Sequence, residues 1–131
     1  MYVVAMANRM RMPALLGVLA LLSFAAQSAL AQIKIGAVTC LTGALSTFGV
    51  SSVQGAKLAV EEINAAGGTL GQPIQLIVED NGSKAGETAT IARKFISQDK
   101  VVAILGDLTS SATMEGAPLA QAAKIDRKSV V

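Results

Sequence analysis

The sequence predicts an α/β fold built on a parallel β-sheet, and three observations lead there. Runs with the alternation or unbroken apolarity of strands begin at Ile33, Ile74 and Val101. Each is followed by a stretch whose apolar residues recur at helical spacing, giving the order β-α-β-α-β-α. The connections between them are short. Such alternation places the helices as crossovers between parallel strands, in layers on the sheet.

The elements follow in order. Ile33-Lys34-Ile35-Gly36-Ala37-Val38 alternates and is rich in β-branched residues, as a strand requires. Gly43 and Gly49 bracket a loop. Ser51 and Gln54 then have the spacing of a capping box, and Val53, Ala56, Val60 and Ile63 continue as one buried helical face closed by Gly67-Gly68. A turn at Gln72-Pro73 leads to a second strand, Ile74–Val78, and a polar loop from Glu79 to Ser83. Ser83 is placed to cap a second helix with Thr88, Ile91, Ala92, Phe95 and Ile96 inward. Val101–Leu105 reads as a strand buried on both faces. A third helix is expected from about Ser111 to Ile125, with Met114, Ala117, Leu119, Ala122 and Ile125 inward. Pro118 should delay its start to near Ala117 or kink it.

The first 31 residues are set apart from the fold. Arg9 and Arg11 form a positive region before the uncharged stretch Ala14–Ala26, and Ala29-Leu30-Ala31 is a small-x-small cleavage signal. This is the pattern of a secretory signal peptide. The alternative, an uncleaved membrane anchor, is disfavoured by the weakly apolar tail "AAQSALAQ". The two arginines account for the whole formal charge of +2, so the remaining chain is neutral and carries no electrostatic signature of nucleic-acid binding. Cys40 is the only cysteine and has no disulfide partner within the chain. The residues before it make a poor lipidation signal, which leaves it as a small residue after a strand.

Composition narrows the function. Apolar residues form 52% of the 131, enough for a core, whereas aromatics form 3%, too few for base stacking. Histidine is absent, which removes the commonest general base and most zinc sites. The loop after the first strand lacks G-x-G-x-x-G, and no P-loop is present. Asp80 therefore reads as part of an Asp-Asn-Gly turn rather than a ribose ligand. Neither Ser110 nor Ser111 lies in G-x-S-x-G, and Lys57, Lys84 and Lys100 fall in helical or turn segments. No catalysis, metal or cofactor is expected.

Binding remains. A parallel sheet presents ligand sites beyond the carboxyl ends of its strands, here residues 39–50, 79–84 and 106–111. Thr109, Ser110 and Ser111 lie where the third strand meets a helix amino terminus, whose free N–H groups and dipole favour an anion. A small carboxylate suits such a seat. The competing reading is that Ser110 or Ser111 simply caps the helix.

The stretches "IKIGAVTCLTGALSTFG", "GAKLAVEEINAAGGTLGQPIQLIVEDNGS" and "VVAILGDLTSSAT" resemble periplasmic solute-binding proteins of branched-chain amino-acid (leucine/isoleucine/valine) ABC importers. The resemblance runs from about Ile33 to Ile125. It implies a partial Rossmann-like sheet, a three-stranded portion of the amino-terminal lobe of a type I periplasmic-binding fold, after a signal peptide at 1–31. It implies that Ser110 takes the family's carboxylate-binding position, with Thr109 and Ser111 flanking it, and that Phe48 occupies the place of an aromatic that packs on the ligand. The function implied is capture of branched-chain or related amino acids in the periplasm, as a monomer serving an inner-membrane ABC permease. A sensing domain or an amide- or urea-binding protein of the same fold is the alternative. Residues 126–131 depart from the family pattern as a divergent tail, and no second lobe follows, so a truncated trap of weak affinity is expected.

Overall fold

A computed structural model describes residues 32–128; the signal-peptide assignment lies outside them. Four parallel strands form one sheet: β1 (Ile33–Thr39), β2 (Ile74–Asp80), β3 (Ala103–Leu105) and β4 (Asp126–Lys128). Their order is β2-β1-β3-β4. Between them run α1 (Ser46–Ala65), α2 (Glu87–Lys94), which continues as a π-helical turn over Phe95–Asp99, and α3 (Ser110–Ala122). The predicted α/β class and parallel sheet are both present, with one strand more than the three expected. Asp126–Lys128, read from sequence as the start of a divergent tail, pairs with β3 through Ala103↔Asp126 to Leu105↔Lys128.

Strand alternation divides the side chains between two layers. Val38 and Ile104 join Ile91, Phe95, Val101 and Ala120 in the buried core, with Ile77 and Ile125 packed against it. This places α2, its π-helical extension and α3 on one face. Ala37, Thr39 and Leu105 instead line a cleft with Val53 and Ala56 of α1, which covers the other face. Apolar burial drives this arrangement, and Phe95, fully buried, is its largest contributor.

Several boundaries differ from the sequence expectation, each for a physical reason. α1 begins at Ser46, not at the Ser51 capping box. Gly49 therefore sits inside the helix rather than ending a loop. A Cβ there would stand 1.9 Å from the Cys40 carbonyl oxygen, so this glycine permits close approach rather than breaking the helix. The Ser51 hydroxyl donates back to the Thr47 carbonyl at 2.9 Å. Only Val53 of the expected stripe is fully buried, while Ile63 stays exposed. β2 extends two residues further than expected and takes in Glu79 and Asp80.

α2 starts at Glu87 with Gly86 as its cap, and Ser83 is free for another use described below. Thr88, Ile91, Ala92 and Phe95 are buried as expected, with Ile96 half-buried. β3 is shorter than the apolar run that announced it. Val101 turns into the core and its N–H closes the π-helical segment by donating to the Phe95 carbonyl, while Val102 points outward and its N–H donates to the Lys34 carbonyl of β1, just ahead of β3. α3 starts at Ser110 and continues through Pro118. Met114 and Pro118 are both exposed, so the carbonyl that lacks an N–H partner at the proline lies on the solvent side. Gly116 and Ala120 are the residues of α3 that are buried; Met114, expected inward, is 73% exposed.

Candidate functional site at the carboxyl ends of the strands

The strand order reverses direction between β1 and β3, since β2 lies to one side of β1 and β3 to the other. Loops leaving the two strands at such a point diverge to opposite faces and leave a crevice between them. Here the crevice is bounded by residues 40–45 after β1 and 106–109 after β3.

Asp80 ties the β1 and β2 loops together. Its Oδ1 accepts from the N–H groups of Leu41 (2.7 Å), Gly82 (2.8 Å) and Thr42 (3.2 Å), and its Oδ2 accepts from the Thr42 hydroxyl (2.5 Å). Burial works against its ionisation, but the Thr42 hydroxyl and the Gly82, Leu41 and Thr42 N–H groups together outweigh it and hold the carboxyl at about 2, from 3.8. The residue does belong to an Asp-Asn-Gly turn, and it also clamps the neighbouring loop. Ser83 adds a second brace. Its hydroxyl donates to the Thr42 carbonyl (3.1 Å) and accepts from Leu45 N–H (3.5 Å). The Cys40 thiol, buried, donates to the Leu45 carbonyl at 3.3 Å. The start of α1 is thus held from neighbouring loops rather than by a side-chain cap of its own.

The β3 loop is equally constrained. Gly106 has φ +121°, and a Cβ on it would lie 2.0 Å from the Val38 carbonyl oxygen, so only glycine fits between the strands here. Asp107 follows, 1% exposed, and accepts from the side-chain amide of buried Asn81 and from Thr109 N–H (3.1 Å). Asn81 also donates to Thr88 Oγ1 (3.0 Å) and accepts from Ser83 N–H (3.0 Å). Arg127 of β4 donates to the Gly106 carbonyl at 2.7 Å. Burial pulls its guanidinium below the usual value, and the Asp107 charge opposes that pull.

Thr109 is the cap of α3: it has extended backbone, and its hydroxyl accepts from Ala112 N–H at 3.3 Å. The capping role considered for Ser110 or Ser111 therefore belongs to their neighbour. The N–H groups of Ser110 and Ser111 keep no acceptor among the described residues, and both side chains are exposed. Two cavities flank this helix start. One of about 290 Å³ is walled by Leu45, Phe48, Leu108 and Thr109. The other, of about 260 Å³, includes Cys40, Asn81, Ser83, Thr109, Ser111 and Glu115. The structure thus brings Phe48 and Thr109 to one cavity and Thr109 and Ser111 to the other, with Ser110 exposed beside them. Phe48 is 67% exposed. Leu45, Leu108, Asn81 and Asp107 were not anticipated as site residues. Among the described residues no three Cys, Asp or Glu side chains gather to hold a metal.

The sequence model of the family described as "Periplasmic binding protein" matches residues 32–126. The chain belongs to that family. It is 37% identical over 121 residues to a Leu/Ile/Val-binding protein homologue of Brucella suis, an alignment covering 90% of this chain and 29% of the relative. An amino acid binding protein of Pseudomonas aeruginosa is 38% identical over 86 residues, 66% of this chain and 23% of its own length. Among solved structures, the branched-chain amino-acid transporter substrate-binding protein LivJ of Streptococcus pneumoniae, in complex with isoleucine, superposes with a TM-score of 0.73 at 39% identity, covering 75% of this chain and 28% of LivJ. The chain spans about a quarter of the length of the relatives it matches. These relatives are named as binding proteins, none of them as an enzyme.

Proposed function

We propose that this chain forms part of the ligand-binding lobe of an ABC-importer substrate-binding protein, and that it captures branched-chain or related amino acids in the periplasm, after export by a cleaved signal peptide, as a monomer that delivers them to an inner-membrane permease. One observation carries this reading. The amino terminus of α3 offers the N–H groups and hydroxyls of Ser110 and Ser111 to an anion at the strand switch point, beside an apolar cavity walled by Leu45, Phe48 and Leu108. An α-amino acid has both halves of the complement: the carboxylate for the helix start and an aliphatic side chain for the cavity. In this assignment Ser110 is the main contact, Thr109 and Ser111 shape the seat, and Phe48 packs on the ligand's apolar part. Binding rather than catalysis fits the site, because Ser110 has no histidine to act as its base and Lys84 is exposed.

One wall of a trap leaves most of a ligand in water, so binding by this chain alone is weak, in the millimolar range, corresponding to about 4 kcal/mol. Isothermal titration of the purified chain with leucine checks this. Heats that fit a millimolar constant support the reading. A micromolar constant contradicts the one-walled account, and stronger heats with urea or a short amide than with leucine overturn the amino-acid assignment in favour of an amide ligand.

A further inference from the structure

Asn81 and Asp107 are 3% and 1% exposed, and they meet beneath the first turn of α3. Burying a carboxylate is costly unless every lone pair is well used, so this pair calls for an account that ligand contact does not provide. The hydrogen bonds specify one. Asp107 spends one oxygen on Asn81 and the other on Thr109 N–H, the residue that caps α3. Its own carbonyl accepts from the Thr113 hydroxyl (3.4 Å), one turn into the helix. Asn81 passes the restraint on to Thr88 in α2 and to Ser83 N–H in the β2 loop. A single buried pair thus joins two loops and two helices behind the exposed N–H groups of Ser110 and Ser111.

We propose that Asn81 and Asp107 are positioning residues that lock the Gly106–Thr109 loop so that the first turn of α3 presents its free N–H groups to a ligand carboxylate. The proposal rests on the reading of that turn as a carboxylate seat. The pair is directional: the position-81 side chain donates and the position-107 side chain accepts twice. Asp107→Asn spoils this, because in either orientation the new amide sets an NH₂ group against a donor, from Asn81 or from Thr109. Asn81→Asp sets carboxylate against carboxylate. Making both changes reverses the direction with no hydrogen bond of the pair lost, although the charge moves away from Arg127. The amide at 107 then donates to the carboxylate at 81 and still accepts from Thr109 N–H, while Thr88 and Ser83 donate to that carboxylate.

The test compares the parent chain, both single variants and the double exchange by amide hydrogen exchange and by leucine-induced chemical-shift changes. Each single variant is expected to speed exchange at Thr109 and Ala112 by about tenfold or more relative to Ile104, and to weaken leucine binding by about the same factor, as the loss of one buried partner implies. The double exchange is expected to recover most of both. Ile104, in the core, reports global opening, so a variant that merely unfolds speeds it equally. Thr109 exchange that changes no more than Ile104, or a double variant no better than the singles, overturns the proposal. Absence of leucine-induced shifts in the parent chain defeats the carboxylate seat, while the ligand-free exchange pattern still decides the role of the pair.

Discussion

Replacing Asp80 with asparagine measures what holds the first two ligand-side loops together. Three N–H groups converge on one carboxylate oxygen and the Thr42 hydroxyl on the other. An amide in the same place keeps an oxygen for the three N–H groups, and its NH₂ meets a hydroxyl that can turn to accept. The substitution therefore removes charge and little else. The carboxyl is held at about 2 against 3.8, which is worth at most about 2.5 kcal/mol. Asp80 is only half-buried, and solvent screening reduces this to about 1 kcal/mol. Because the folded value lies below the unfolded one, the contribution is complete above the unfolded value. It fades as pH falls from about 5 towards 2. Urea unfolding followed by circular dichroism should show Asp80→Asn less stable than the parent by about 1 kcal/mol at pH 7, with the two curves converging near pH 2 to 3. A difference that stays constant over this range refutes the assignment of the stabilisation to the ionised form.

Phe95→Ala removes the largest fully buried side chain and should cost about 3–5 kcal/mol in urea unfolding, much of the stability of a small domain. Thr109→Ala deletes the cap of α3 and should cost about 1 kcal/mol at the same assay. Ser110→Ala leaves unfolding within about 0.5 kcal/mol of the parent, because the side chain is exposed and outside the cap, but weakens the leucine titration severalfold. Loss of stability without loss of titration would return Ser110 to a structural role.

The sheet was legible because β-branched alternation at Ile33–Val38 and Ile74–Val78 has one reading, and the short connections leave little choice of topology. Helix starts were less so. Gly49 looks like a helix breaker in sequence and is instead the small residue that lets α1 pass the Cys40 carbonyl. Ser83 looks like a cap and instead braces the β1 loop. β4 carries the charged run Asp-Arg-Lys, which hides a strand at the sheet edge, where charge is well tolerated. The helix start at Thr109–Ser111 could be found from the meeting of an apolar run with hydroxyl residues. Leu45 and Leu108 could not, since the wall they form exists only once β1 and β3 are side by side. Asp107 gave one overlooked signal, an acidic residue directly after a buried strand and a glycine; its partner Asn81 lies 26 positions away and is joined to it by tertiary structure alone.

The central claim is that the amino terminus of α3 receives a carboxylate. It is tested most directly by titrating the ¹⁵N-labelled chain with leucine and with leucinamide, which keeps the side chain and ammonium group but lacks the carboxylate. The account predicts saturable shifts at the Ser110 and Ser111 amides with leucine and none there with leucinamide. Equal shifts with both ligands, or shifts that leave Ser110 and Ser111 untouched, contradict it.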